Sequence, residues 1–160
     1  MWLLRAQLPV GAWPGRYAGG DLLATCAALR ALLAAGVLRG KTPVTRATDW
    51  LIGQQNSDGG WHAGDVRSPR LVGRSDEAGT SCALTALLAV GGTEAGDAAE
   101  AAAGWLIRAQ RADGSWPRAL ATGASALRWR SDPQRHAVAA GVPLPLAALG
   151  QYRAAQDARN

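Results

Sequence analysis

Phenylalanine is absent from this 160-residue chain, and methionine and lysine occur once each, the lysine at Lys41. Cysteine is confined to Cys26 and Cys82, and histidine to His62 and His136. Each scarcity excludes something. Two cysteines with no CxxC spacing and no histidine nearby give neither a disulfide framework nor a zinc-ligand pattern. They read as buried free thiols, suited to a reducing cytosol. No metal and no cofactor are expected, and no Walker-type phosphate loop is present. The apolar run Leu22–Ala35 is broken by Arg30 and is too short to span a bilayer. Met1-Trp2 leads almost at once into Pro9, Gly11 and Pro14, which is not a secretory leader. With 48% hydrophobic and 18% charged residues, the chain is a folding sequence rather than a disordered one. Its length suits a single domain, residues 1–160.

The formal net charge is +5, carried by arginines spread along the chain rather than gathered in a stripe beside stacking aromatics. Nucleic-acid binding is therefore not expected. The Arg-for-Lys bias, with abundant Ala and Gly, reads as a GC-rich coding effect.

What is present is a repeat. Trp2-Leu3-Leu4, Trp50-Leu51-Ile52 and Trp105-Leu106-Ile107 each open a 12-residue segment of the form W-L-[LI]-x-x-Q-x-x-x-G-x-W, at 2–13, 50–61 and 105–116. The matched glutamines are Gln7, Gln55 and Gln110, and the closing tryptophans are Trp13, Trp61 and Trp116. A second pattern, D-x-x-x-T, follows two of the copies at Asp21–Thr25 and Asp76–Thr80, and it opens a run rich in Ala and Leu. Asp21 to Asp76 and Trp50 to Trp105 are both offsets of 55 residues.

Both patterns predict helices. The D-x-x-x-T segments are apolar nearly all round, hence buried inner helices, stopped at Gly36 and Gly91. The W-L-x-x-x-Q segments close more mixed, outer helices. Thr42-Pro43 predicts the start of one, with Thr as cap, and Asp97-x-x-Glu100 a capping-box start of the next. Ser131-Asp132-Pro133 predicts a short helix ending at Gly141, and a last helix is expected over about Leu146–Asp157, making residues 131–160 a helical tail. No strand pattern competes. The expected class is all-α, with helical hairpins stacked as roughly half of an α–α toroid. Gln and Trp are expected to staple the hairpins, the Gln reaching orphan backbone groups at helix ends and the Trp packing over it.

The repeated segment resembles the QW repeat of squalene–hopene and oxidosqualene cyclases, within the prenyltransferase and squalene-oxidase repeat group. Gly60-Trp61 with Asp65-Val66-Arg67-Ser68 resembles the G-W-x-x-D-x-R-S stretch of the hopene cyclases. Thr122-Gly123 sits where their T-G-T-G-F-P segment falls, and Pro145-Leu146-Ala147-Ala148-Leu149-Gly150-Gln151-Tyr152-Arg153 resembles their terminal F-P-L-x-A-L-G-R-Y-R. Nearly the whole chain thus resembles the C-terminal portion of a class II triterpene cyclase.

That resemblance implies a carbocation cascade begun by a strong carboxylic acid in a D-x-D-D-T setting. Here the setting occurs twice without the donor, whose place is taken by Leu23 in one copy and Ala78 in the other. Asp76 and Glu77 are the nearest candidate catalytic acids; as residues at a helix start they equally suit capping and dipole matching. Thr80, Cys82 and Trp129 are the candidate substrate contacts. Trp129 is the one tryptophan outside the repeats, and with Phe absent a π-lined cyclisation pocket is hard to build. No DDxxD run supports ionisation of a diphosphate.

The function expected is a class II terpene cyclase-like domain of isoprenoid metabolism. It binds a polyprenyl or terpene-like apolar ligand on its inner face and is inactive alone for want of the acid. The competing reading is a non-catalytic helical-repeat module for a protein or lipid partner. The expected partners are a second copy or a partner cyclase chain, since an open half-ring exposes apolar flanks. The expected location is the cytoplasm, with peripheral membrane contact.

Overall fold

A computed structural model of the chain describes residues 2–15, 20–63, 74–116 and 145–159. The described residues form six helices: α1 (Trp2–Arg5), α2 (Gly20–Ala34), α3 (Thr42–Gly53), α4 (Glu77–Val90), α5 (Thr93–Ala109) and α6 (Pro145–Asp157). No strand occurs among them, so the all-α class read from the sequence holds. The short helix expected over 131–141 lies outside the described residues, as do Asp65–Ser68, Thr122-Gly123 and Trp129. The last helix begins at Pro145, within a residue of its expected start.

The inner helix α4 sits at the centre. It packs on α2 to one side and α6 to the other, lies along α5 and touches α3. Its sequence explains the position: ten of its fourteen residues are buried, with small Ser, Thr, Ala and Cys alternating with Leu84 and Leu87. Asp76 caps its start and Gly91, at φ 67°, ends it. The helix α2 was expected to be buried all round and is not. Leu22, Thr25, Cys26, Ala28, Leu29 and Leu32 face the core, while Ala27, Arg30, Ala31 and Ala34 are exposed. Its apolar outer face reflects abundant alanine rather than burial.

The outer helices are amphipathic. In α3, Val44, Ala47, Thr48 and Leu51 point inward, and in α5, Ala95, Ala98, Ala99, Ala102, Ala103 and Leu106 do so. Small alanines let α5 lie close against α4. Two helix starts differ from expectation. Thr42 is the first helical residue of α3, Lys41 precedes it without a side-chain cap, and Pro43 occupies the first turn. The start of α5 lies four residues before Asp97, at Thr93, because Gly91 and Gly92 both adopt positive φ and turn the chain sharply out of α4. Asp97 and Glu100 are exposed residues within that helix, not its cap.

Trp61, Leu29, Leu32, Leu51, Leu84, Leu87 and Leu106 are all fully buried in one contiguous core. Each such side chain contributes about 1.5–3 kcal/mol relative to exposure. The core lies between the inner and outer layers, so the repeat turns at one end of the stack are held rigidly against the starts of the inner helices.

Candidate functional site

Each QW segment folds into the same turn. The outer helix ends, and the backbone N–H six residues after the first Trp donates to a carbonyl four residues on: Leu8 to Ala12 at 2.8 Å, Asn56 to Gly60 at 2.9 Å, Arg111 to Ser115 at 2.8 Å. The repeated glycine takes positive φ in every copy, 99° at Gly11, 89° at Gly59 and 81° at Gly114. The closing Trp then folds back, its indole N–H donating to the carbonyl of the Leu that follows the first Trp. These bonds are Trp13 to Leu3 at 2.7 Å, Trp61 to Leu51 at 2.8 Å and Trp116 to Leu106 at 2.7 Å. That carbonyl lies in the last helical turn, where the regular helical hydrogen-bond ladder runs out.

The glutamine amide bridges. Gln7 Nε2 donates to Gly11 O and to Pro43 O, both at 2.8 Å. Gln55 Nε2 donates to Gly59 O at 3.0 Å and to Ala98 O at 3.1 Å. Pro43 and Ala98 hold the same place, seven residues before the first Trp of the next copy. Gln110 keeps the local bond, to Gly114 O at 2.9 Å. Gln7 and Gln55 therefore each join one hairpin to the next.

The D-x-x-x-T segments complete the turn from the inner side. Thr25 Oγ1 accepts the Trp13 N–H at 2.9 Å, and Thr80 Oγ1 accepts the Trp61 N–H at 3.0 Å. The aspartates accept from the residue two beyond that Trp. Asp21 Oδ1 takes Gly15 N–H at 2.9 Å, and Asp76 Oδ2 takes Ala63 N–H at 2.8 Å. Asp76 Oδ1 also accepts Gly79 N–H at 2.7 Å, the N-cap bond of α4. His62 stands against the same carboxylate, Nδ1 2.9 Å from Oδ2, in a close approach that is not aligned as a hydrogen bond. Each Asp76 oxygen thus accepts a backbone N–H. Gly79 explains why the N-cap bond fits: a Cβ there would lie 2.7 Å from the Ala63 nitrogen and 2.8 Å from the Trp61 carbonyl.

Among the expected site residues, Thr80 is fully buried and spent on Trp61, and Glu77 is half-buried in the first turn of α4. Leu23 and Ala78, the central positions of the two D-x-x-x-T segments, are half-buried against the core. Cys82 meets Cys26 across the α2–α4 contact, and neither is in a disulfide. The hydrogen bond between the thiols, then burial, raises Cys26 above the ordinary thiol value, and the same bond lowers Cys82. Near them on α4, the fully buried Ser81 hydroxyl has no hydrogen-bond partner among the described residues, while Thr85 bonds the Cys82 carbonyl. The inner helices thus contribute small, weakly polar and aliphatic groups.

Sequence reading missed Asp58. Its Oδ1 accepts Ser75 Oγ–H at 2.6 Å and Gly60 N–H at 3.0 Å, its Oδ2 accepts the Trp105 indole N–H at 3.0 Å, and its carbonyl accepts Arg108 Nη2–H at 3.0 Å. The Asp-Gly pair at 58–59 marked a turn, but nothing local marked the tie to residues about fifty positions on.

The squalene–hopene cyclase C-terminal domain family matches residues 1–154. A squalene–hopene cyclase of Bradyrhizobium diazoefficiens is 36% identical over 130 residues, which is 76% of this chain and 19% of that protein. Protostadienol synthase A of Arthroderma gypseum is 33% identical over 122 residues, 72% of this chain and 16% of its own length. Dammaradiene synthase of Dryopteris crassirhizoma is 31% identical over 140 residues, 77% and 20%. The chain therefore spans about a fifth or less of each of these relatives. Three identical Trp-capped turns and two Asp/Thr-tied inner helices, with a family match along almost the full sequence, show that the chain belongs to the squalene–hopene cyclase C-terminal domain family.

Proposed function

We propose that this chain forms part of the wall of a class II terpene cyclase-type cavity, that its inner helices face a polyprenyl or terpene-like apolar chain, and that the proton starting any cascade comes from outside these residues. One observation carries the reading: the acid of each D-x-x-x-T segment accepts from backbone N–H groups of the preceding turn or its own helix start. Asp21 holds Gly15, and Asp76 holds Ala63 and Gly79. The positions where the family's donor falls carry Leu23 and Ala78. Alkene protonation needs a neutral carboxylic acid in a dry site, whereas the two N–H groups that Asp76 accepts hold its carboxyl against the backbone at the start of α4. Asp76 is on this reading a positioning residue for the start of α4.

The relatives named above are a squalene–hopene cyclase, a protostadienol synthase and a dammaradiene synthase, which supports an apolar isoprenoid ligand. Among the described residues no helix is long and apolar enough to cross a membrane. A cytoplasmic location with peripheral membrane contact accords with that ligand class. The test is incubation of the pure chain with squalene, read by mass spectrometry, beside tryptophan fluorescence to register binding. Binding without product is expected. Hopene-type products from the pure chain, abolished by Asp76→Asn or Glu77→Gln at unchanged stability, would restore a catalytic role to those acids. Absence of any squalene binding would favour a helical-repeat module for a protein partner.

A further inference from the structure

Cys26 and Cys82 are the two cysteines of the chain, and the fold brings them together from different repeats. Cys26 lies on the core-facing stripe of α2 with Leu22, Leu29 and Leu32, and Cys82 lies in the first half of α4. The two helices pack directly on each other. Cys26 is fully buried, while Cys82 keeps 5% of its surface accessible. Around Cys82 the buried neighbours Ser81, Ala83 and Ala86 are small, which lets an adjoining helix approach closely. The two sulfurs share a hydrogen bond and are not joined. Thiols already in contact are the arrangement from which a disulfide forms with least backbone movement.

The two thiols are also chemically unequal. Their hydrogen bond lowers Cys82 and raises Cys26. Burial opposes the first shift and adds to the second, and the Arg30 guanidinium, one turn beyond Cys26 on α2, lowers both. The first proton to leave is therefore that of Cys82, and Cys26 keeps its own. An attacking thiol and a protonated neighbour in contact with it are the two parts that sulfur oxidation to a disulfide requires.

We propose that this pair is a reversible redox site, at which hydrogen peroxide converts Cys26 and Cys82 to an intrachain disulfide that fastens inner helix α2 to inner helix α4. The Cys82 thiolate attacks one peroxide oxygen. The O–O bond breaks, hydroxide leaves, and Cys82 becomes a sulfenic acid. The Cys26 sulfur then attacks the Cys82 sulfur. The S–O bond breaks, and the departing hydroxide takes the Cys26 proton as water. Two thiols and one hydrogen peroxide thus give one disulfide and two waters. A thiol reductant reverses the step by exchange. A small peroxide suits a site as enclosed as this one. The new bond joins the first and second repeats in the inner layer, as Gln7 joins them in the outer one. Reducing surroundings keep the pair as thiols, and disulfides of reducing compartments are of this transient kind. The chemistry does not depend on what the inner helices face.

The test treats the reduced, folded 160-residue chain with a modest molar excess of hydrogen peroxide. Non-reducing peptide mapping is expected to show Cys26 linked to Cys82 within one chain, with the intact mass lower by two hydrogens and both thiols restored by dithiothreitol. Circular dichroism is expected to show the helices retained and the linked chain melting about 5 °C or more above the reduced one. In Cys26→Ala, dimedone is expected to trap the sulfenic acid at Cys82. In Cys82→Ala, Cys26 should be oxidised about 3-fold more slowly or less readily still. Melting curves check that both variants are folded, and if one is not, the wild-type linkage map decides by itself. Thiols that stay free, oxidation to higher acids without linkage, or linkage between two chains would overturn the proposal. So would linkage that appears only after the helices have melted, or a linked chain that melts no higher than the reduced one.

Discussion

The side-chain amide of Gln55 donates to the carbonyl of Ala98, 3.1 Å away across the gap between two hairpins and 43 residues along the chain. Gln7 makes the same bond to Pro43, 36 residues along. One amide thus holds its own turn through the glycine carbonyl and the next outer helix through a second carbonyl. The closing Trp caps the outer helix, and the Thr of the inner helix holds that Trp's N–H, so the three layers of each repeat are tied at one point.

Replacing Gln55 by Ala removes both bonds and leaves two part-buried carbonyls without this donor. A loss of about 1–3 kcal/mol is expected, in the range of buried hydrogen bonds left unmade. Gln110→Ala removes one exposed local bond and should cost well under half as much. Denaturant titrations of the two variants give the comparison; equal losses would mean that the cross-hairpin bond contributes nothing.

Trp61 is fully buried, and both its N–H groups are used, the indole on Leu51 O and the backbone on Thr80 Oγ1. Trp61→Ala should cost about 3–5 kcal/mol from the cavity. Trp61→Phe keeps most of the volume and isolates the lost indole bond, for which about 1–2 kcal/mol is expected. Thermal unfolding of both variants checks the order; wild-type stability in either would remove Trp61 from the set of residues that hold the hairpins.

The repeat, the helical class and the stapling role of Gln and Trp were legible because they rest on short-range periodicity repeated three times. The inner helix α4 was legible for the same reason, Asp76 and Gly91 marking its two ends. The start of α5 was not, since two positive-φ glycines turn the chain there and no side-chain cap is needed. The exposed face of α2 was not legible either: alanine is compatible with burial and with water, and only the neighbouring helices decide which. Of the candidate site, the capping place of Asp76 could be read directly, since it stands just before an apolar helical run. The commitment of Asp76 to Ala63 and the tie of Asp58 to Trp105 are contacts between distant segments, and no local pattern encodes them.

Gly59 is held at φ 89°, and a Cβ there would lie 2.8 Å from the Ala101 carbonyl. Left-handed backbone is costly for an L side chain, by about 1–2 kcal/mol, and the close approach of α5 adds to that. Gly59→Ala should therefore destabilise by about 2 kcal/mol or more. Gly114 has a similar φ, 81°, but among the described residues a Cβ there would meet only the Gln110 amide, at 3.9 Å. Gly114→Ala should cost only the backbone part. The difference between the two melting temperatures measures how tightly the third outer helix presses on the second turn.

Asp58 makes the fold sensitive to acid. Partial burial pushes its carboxyl up, but the hydrogen bonds from Ser75, the Gly60 N–H and Trp105 together outweigh that and hold it below the ordinary aspartate value. A carboxyl depressed in the folded state stabilises the fold above its unfolded value, about 3.9, and that contribution disappears as pH falls through the folded value. Asp58→Asn should therefore lower the melting temperature at pH 7, and the gap to wild type should close progressively below about pH 4. Trp105→Phe removes one of the three named donors to the carboxylate and should flatten the wild-type pH dependence over the same window. Melting curves from pH 7 to pH 2.5 for the three proteins decide the matter: a gap that stays constant with pH would mean that the Asp58 charge plays no part in joining the second and third hairpins.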